Sequence, residues 1–398
     1  MNIKESIFNH HIWIENKHYL FNMNNGGLLE IDKKEFTDEE QKYLLDNGFY
    51  VKCDEDEIEK LIKEINTYIV EDRESIELTI ALTNQCNFRC AYCYQDKNEK
   101  VMTVDTANDI INKIGDILEK RAYKEICIHY FGGEPLLNIP ILKYLHQKIK
   151  AISQKNKTLY KAYITTNGSM LTDEILQEIQ FDYIQLTFDG REDVHNGLRI
   201  SDDFHFYEQI ALVKRILDNT DAIIILRMNA CVENKDEILK FYQYAIETFG
   251  EERLDINLNR MIKFHEKDNF EMLDVKEYAE LFFELKVLIY KLTGTFQLPM
   301  PRSSICRFIC GSAYSISPAG LCNLCSGSVE NGKIAFKEVD INQKKEVILR
   351  EECKRCKFVP LCLGGCIVQH DIGVGCCTYE KYCIDKILEY YIVKRGTV

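Results

Sequence analysis

Between residues 76 and 292, short runs rich in β-branched and aromatic residues alternate with longer stretches whose apolar positions recur every three or four residues. Runs of the first kind suit buried strands and those of the second suit amphipathic helices, so the pattern predicts parallel βα units. It places strands over 76–82, 125–131, 160–165, 182–188, 222–229 and 254–258, and helices over 103–120, 140–153, 172–179, 204–217, 235–249 and 274–292. Six units are too few for a complete eight-unit barrel and predict an α/β fold, a partial (β/α)6 TIM-like barrel. In barrels of this kind chemistry sits where strands end, so the residues just after each strand carry the functional signal.

Upstream, residues 1–75 show a hairpin over 12–14 and 19–22, then Leu28-Leu29-Glu30-Ile31, a helix over 38–47 stopped by Gly48, a short strand over 49–51 and a second helix over 54–68. This order predicts a small N-terminal winged-helix-like module. Downstream, Gly294 to Pro301 holds two of only six prolines and breaks the helical pattern. Three segments follow: a head over 1–75, the barrel over 76–295 and a tail over 296–398.

Composition narrows the chemistry. With 46% hydrophobic residues the chain can bury a large core, and its net charge of -13 repels a phosphate backbone, so nucleic acid is not an expected partner. No apolar run is long enough to span a bilayer and the N-terminus lacks a signal-peptide pattern, so a membrane is not expected and a cytoplasmic location is. The 17 cysteines exceed what packing alone would use, and eleven of them lie from Cys306 to Cys383. In a reducing compartment, grouped cysteines read as metal or cluster ligands rather than disulfides.

Just after the first barrel strand comes Cys86-Asn87-Phe88-Arg89-Cys90-Ala91-Tyr92-Cys93, a C-x3-C-x2-C loop. Three thiolates this close can hold three irons of one cubane and leave the fourth iron open for chemistry; a structural zinc or a ferredoxin-like loop with a distant fourth cysteine is the competing reading. Other strand ends carry Phe131-Gly132-Gly133-Glu134-Pro135, Thr165-Thr166-Asn167-Gly168 and Thr187-Phe188-Asp189-Gly190. Alone, each is ordinary turn chemistry.

Taken in order, these motifs resemble those of the radical S-adenosylmethionine (radical SAM) family. The resemblance implies that Cys86, Cys90 and Cys93 hold a [4Fe–4S] cluster whose open iron chelates S-adenosylmethionine, with Tyr92 as the aromatic before the last cysteine. It implies that backbone or carboxylate groups of Gly132, Gly133, Glu134 and Pro135 face the methionine end, and that Thr166, Asn167, Thr187 and Asp189 lie near the nucleoside. His195 and Arg199 fit the spacing that follows the Asp-Gly turn in many relatives. Arg199 is either a partner for the methionine carboxylate or a solvated helix cap, and Arg227, in Arg227-Met228-Asn229, is a further cofactor-facing candidate. His129, inside a strand, reads as packed rather than ligating.

The tail resembles the cysteine-rich SPASM domain of peptide-modifying members, through Cys353, Cys356, Cys362 and Cys366 at C-x2-C-x5-C-x3-C spacing and through Cys310, Gly320 and Cys325 upstream. A zinc ribbon built on the Cys322/Cys325 and Cys353/Cys356 pairs is the structural alternative. The resemblance implies three [4Fe–4S] clusters in all. The first auxiliary cluster takes Cys306, Cys310, Cys325 and Cys366; the second takes Cys353, Cys356, Cys362 and one of Cys376, Cys377 and Cys383, with Cys377 preferred. Cys322 stays unassigned.

The implied activity is reductive cleavage of S-adenosylmethionine to a 5'-deoxyadenosyl radical, which modifies a ribosomally made, cysteine-containing precursor peptide. Thioether crosslinking is the expected reaction; formylglycine generation on a sulfatase and carbon–carbon crosslinking are the enzyme alternatives, and a non-enzymatic zinc-binding interaction protein is the alternative of another class. A reductase with flavodoxin, or a ferredoxin, is the implied electron donor. The head either binds a leader peptide by strand addition or caps the open barrel edge.

Overall fold

A computed structural model describes the chain except residues 1, 33–34, 72–73, 96, 264–269, 324, 329–331, 342–348, 372, 374–376 and 396–398. In chain order the head holds β1 (Ile3–Glu5), β2 (Asn9–Ile14), β3 (Lys17–Asn22), β4 (Leu28–Ile31), α1 (Asp38–Asp46), β5 (Tyr50–Lys52) and α2 (Glu57–Glu71). The barrel region follows as β6 (Ser75–Ala81), α3 (Val104–Lys120), β7 (Glu125–Phe131), α4 (Ile139–Lys155), β8 (Leu159–Thr165), α5 (Asp173–Glu178), β9 (Tyr183–Thr187), α6 (Glu192–Leu198), α7 (Phe206–Asn219), β10 (Ile223–Ala230), α8 (Lys235–Phe249) and β11 (Leu254–Arg260). The remainder is α9 (Val275–Thr293), α10 (Arg307–Cys310), β12 (Ala313–Ile316), β13 (Leu321–Asn323), β14 (Ile334–Ala335), α11 (Val359–Cys362), α12 (Ile367–Asp371) and α13 (Glu380–Arg395).

Two compact units divide these elements. One comprises Met1–Val70, Asp274–Cys306 and Glu346–Val398; the other comprises Glu71–Leu273 and Arg307–Lys345.

In the second unit β6 to β11 form one parallel sheet in sequential order, the expected partial barrel. Burial alternates along most of each strand and gives way to continuous burial at the C-terminal ends of β6 and β10. Leu78, Ile80, Ile126, Ile128, Ile164, Ile184, Leu186, Ile224 and Leu226 are fully buried on the helix-packed face. The opposite face is polar, and parallel register sets Thr79 beside His129 and His129 beside Tyr163 on it. This period-two split, apolar outward and polar inward, leaves a lined concave surface rather than a second hydrophobic core. Beyond the sequence expectation, β12 adds in parallel to β6 and continues into antiparallel β13 and β14, so part of the tail extends the barrel sheet.

In the first unit β2, β3 and β4 form an antiparallel sheet and β1 pairs with β5. Leu20, Leu44 and Phe49 are the centre of the head's core. The helix expected as the sixth of the barrel, α9, belongs to this unit, where Ala279 packs with Cys383 and Ile387 of α13. An Asp274–Glu277 capping box starts α9 and Gly294, at φ 73°, ends it in the left-handed conformation that glycine adopts without strain. Among the described residues, no helix is long and apolar enough to cross a membrane.

Candidate active site

The chain leaves β6 through Leu82 to Gln85 and enters the cysteine loop, which is pinned along its length. Asn84 N–H donates to Lys100 O at 2.9 Å, Arg89 N–H to Ile200 O at 2.8 Å and Ala91 N–H to Leu198 O at 2.9 Å. Phe88 is buried to 1% exposure, under the Arg199 guanidinium 5.5 Å from its ring. All three thiols are half-buried. Burial pushes the Cys86 thiol up, with Cys93 adding to the shift, and burial together with Cys93 and Cys86 outweighs the Arg199 charge to raise Cys90 to about 11.

Three half-buried thiols that repel one another as thiolates need a cationic group between them, and bound iron would supply it and hold them deprotonated. Among the described residues no three His, Cys, Asp or Glu side chains converge to hold a single metal ion. Thiolates bound to separate irons need not meet at one point, so the donor set fits a cubane.

The Gly132-Gly133-Glu134 turn lies against this loop. Gly133 N–H donates to Thr83 O and Glu134 N–H to Gln85 O, both at 2.8 Å. A Cβ on Gly132 would fall 2.4 Å from Thr83 O, and one on Gly133 would fall 2.1 Å from Gln85 O. Both glycines are required by this backbone approach, which fixes the residue immediately before Cys86. Glu134 itself is fully buried and looks inward. Its carboxylate accepts from Leu136 N–H at 3.0 Å, Thr166 Oγ1 at 2.7 Å and Asn167 N–H at 2.7 Å. Burial pushes the carboxyl up, and these donors pull it back. The carboxylate thereby joins two strand-end turns, those after β7 and β8. Pro135 starts the short 3-10 turn that follows.

Thr166 and Asn167 are buried in the joined turn, and Asn167 Nδ2 donates to Asn87 Oδ1 at 2.8 Å inside the cysteine loop. Thr187 is buried at the end of β9, its carbonyl accepting from Gln209 Nε2 at 2.9 Å. Asp189 is fully buried. It accepts from the Tyr92 hydroxyl and, at 3.1 Å, from Asn229 N–H, while its backbone carbonyl accepts from Asn234 Nδ2 at 2.9 Å.

Arg199 is no solvated cap. At 8% exposure it donates from Nη1 to the Tyr92 hydroxyl at 3.0 Å, and its buried Nε has no hydrogen-bond partner among the described residues. An orphaned guanidinium N–H beside the trio fits a ligand carrying a carboxylate. Arg227 Nε donates to Asn229 Oδ1 at 2.8 Å, on the polar face of β10. His195 lies among Phe188 and Phe206, where burial and the Arg199 charge lower it to about 3. His129 stacks on Tyr163 with centroids 3.9 Å apart, packed as expected.

In the tail, Cys353, Cys356, Cys362 and Cys377 share the first unit and are electrostatically coupled. Burial pushes the Cys362 thiol up, and Cys353, Cys356 and Cys377 add to the shift. Cationic donors face two of them: Arg350 Nη2 to Cys353 Sγ and Lys381 Nζ to Cys377 Sγ, each at 3.8 Å. Cys383, by contrast, is buried against Ala279 and Ile387 and donates to Tyr379 O at 3.5 Å. Cys376 lies outside the described residues. Cys306 and exposed Cys366 belong to the first unit, Cys310 and Cys325 to the second, and Cys322 sits on β13.

Sequence reasoning missed Asn87, Asn229 and Asn234 as organisers of the turns. It also missed Tyr94, whose only signal is an aromatic directly after Cys93.

Residues 80–245 match the family model for the Radical SAM superfamily. This region is a radical SAM domain, and the chain is related in sequence to a radical SAM cyclopropyl synthase and to anaerobic sulfatase-maturating enzymes. Over 90% of its length it is 23% identical to the radical SAM cyclopropyl synthase TigE of Paramaledivibacter caminithermalis, covering 84% of that protein. Over 71% of its length it is 24% identical to the cysteine-type anaerobic sulfatase-maturating enzyme of Clostridium perfringens (strain 13 / Type A), covering 85% of that protein.

Solved structures share the fold, two of them as follows. Native anSMEcpe with bound AdoMet and Cp18Cys peptide superposes with a TM-score of 0.60 at 18% identity, over 79% of this chain and 98% of that one. Streptococcus suis SuiB bound to precursor peptide SuiA gives a TM-score of 0.54 at 14% identity, over 92% of this chain and 96% of that one.

Proposed function

We propose that the enzyme matures a ribosomally synthesised precursor peptide, removing two hydrogens to join a cysteine sulfur to a carbon in a thioether. The observation that carries a radical reaction is the convergence of three strand-end turns on the Cys86, Cys90 and Cys93 loop. When bound, the cluster and S-adenosylmethionine supply a 5'-deoxyadenosyl radical able to take hydrogen from an unactivated carbon. The chain's own residues position and shield. Cys86, Cys90 and Cys93 hold the cluster. The Tyr92, Asp189 and Arg199 network orders the loop, and the orphaned Arg199 Nε would take the methionine carboxylate. Gly132, Gly133, Glu134, Thr166 and Asn167 fix the loop's base.

Oxidation by two hydrogens leaves one electron to remove after hydrogen abstraction, and two auxiliary [4Fe–4S] clusters provide the exit. Cys353, Cys356, Cys362 and Cys377 hold one of them, supported by the shared electrostatics of these four thiols. Cys306, Cys310, Cys325 and Cys366 are the ligand set for the other by resemblance, and a flavodoxin or ferredoxin is the reductant. The likeness to peptide-bound SuiB over 92% of this chain supports a peptide substrate.

A second reading, carbon–carbon ring closure, is favoured by the similarity to a cyclopropyl synthase over 90% of the chain. Anaerobic turnover on a candidate cysteine-containing precursor peptide, followed by thiol alkylation and mass spectrometry, separates the outcomes. Loss of two hydrogens with a blocked thiol supports the thioether. The same loss with a free thiol supports the ring, and an aldehyde supports formylglycine.

A further inference from the structure

Tyr94 follows Cys93 directly, and Ser326 follows Cys325 directly. The Tyr94 hydroxyl donates to the Ser326 backbone carbonyl at 3.2 Å, across 232 residues of sequence but within one compact unit. One hydrogen bond therefore ends, on each side, one residue from a cysteine assigned to a different cluster.

The rest of the connection runs through the sheet. The cysteine trio leaves the C-terminal end of β6, and β12, paired in parallel with β6, leads through β13 to Cys325. At one end the two loops are spaced by a sheet ladder; at the other, Tyr94 closes the span. A phenol hydroxyl is protonated at neutral pH and so serves as the donor in this bond.

We propose that Tyr94 is a positioning residue that sets the spacing between the S-adenosylmethionine cluster and the first auxiliary cluster by tying the Cys93 loop to the Cys325 loop. This rests on the assignment of Cys325 as an auxiliary-cluster ligand. Electron transfer and magnetic coupling between two centres fall steeply with separation, so a tether between adjacent loops has a readout that simple packing lacks.

The test uses the full chain, wild type, Tyr94→Phe and Cys325→Ala, each reconstituted anaerobically with iron and sulfide. Tyr94→Phe keeps the ring and removes only the donor. It is expected to retain wild-type iron content and wild-type exchange of β6 to β9 amides. Amides of Cys325 to Ser328 should exchange about fivefold faster in its apo form, the effect of one lost hydrogen bond. In the reduced, loaded form, relaxation enhancement between the two cluster signals should change. Normal iron content with unchanged loop exchange and unchanged relaxation enhancement overturns the proposal. Full wild-type iron in Cys325→Ala instead overturns the cluster assignment beneath it, and then a change in loop exchange reports only a tether between loops.

Discussion

The Glu134 carboxylate accepts the Asn167 backbone N–H at 2.7 Å, and this contact joins the turn after β7 to the turn after β8. Its other oxygen takes Thr166 Oγ1 and Leu136 N–H. Glu134→Gln keeps the shape but turns an amide N–H2 toward one of these donors, leaving a buried donor unsatisfied. The apo chain should lose about 2 kcal/mol in equilibrium urea denaturation. Unchanged stability would mean that the carboxylate does not hold the turns.

Arg199 and Asp189 meet through the Tyr92 hydroxyl, which accepts from one and donates to the other. Arg199→Lys replaces a planar fork with a point charge and loses the bond to Tyr92. It should bind S-adenosylmethionine about tenfold more weakly by calorimetry on the cluster-loaded protein, with normal iron content. Iron loss without an affinity change would assign Arg199 to the loop alone.

Among the late cysteines, Cys377 faces Cys362 and Lys381, whereas Cys383 is buried at 2% exposure against α9. Cys377→Ala should lose one cluster's iron and its electron paramagnetic resonance signal. Cys383→Ala should keep its iron and instead lower the melting temperature, a core truncation costing about 1 kcal/mol. The reverse pattern would make Cys383 the ligand.

Burial alone lowers His129 to about 3, and the groups around it, Thr79, Thr165, Tyr163 and Phe131, carry no charge at neutral pH. The folded chain holds this imidazole neutral, so its contribution is complete above the ordinary value near 6.5 and is lost as pH falls from there toward 3. At pH 5 the unfolded chain gains about 2 kcal/mol from protonating it. His195 acts in the same direction, while Glu134 and Asp189, pushed up by burial, act oppositely. The difference between wild type and His129→Gln isolates the group. The variant's unfolding free energy should fall less steeply between pH 7 and pH 5, and parallel curves would contradict a neutral buried His129.

The barrel strands were legible because period-two burial writes itself into sequence; β7 was placed at its observed bounds, and β6 and β8 within a residue. The cysteine trio and the strand-end turns were legible because their spacing is local. What was not legible depends on contacts distant in sequence. An amphipathic pattern fixes α9 as a helix but says nothing of its partner, and its apolar stripe serves α13. The β6–β12 pairing spans more than two hundred residues and leaves no periodic trace. Glu134 reads as a ligand in a turn motif, and only the tertiary fold brings Thr166 and Asn167 to its oxygens.

The central claim is that Cys86, Cys90 and Cys93 carry a cluster with one iron open to S-adenosylmethionine. Electron paramagnetic resonance of the anaerobically reconstituted, dithionite-reduced protein, with and without S-adenosylmethionine, tests it most directly when wild type is compared with the Cys86→Ala, Cys90→Ala, Cys93→Ala triple variant. Wild type should show a [4Fe–4S]+ signal that changes on adding S-adenosylmethionine and that the triple variant lacks, with 5'-deoxyadenosine formed only by wild type. A signal indifferent to S-adenosylmethionine, or zinc with no cluster at these three cysteines, would contradict the account.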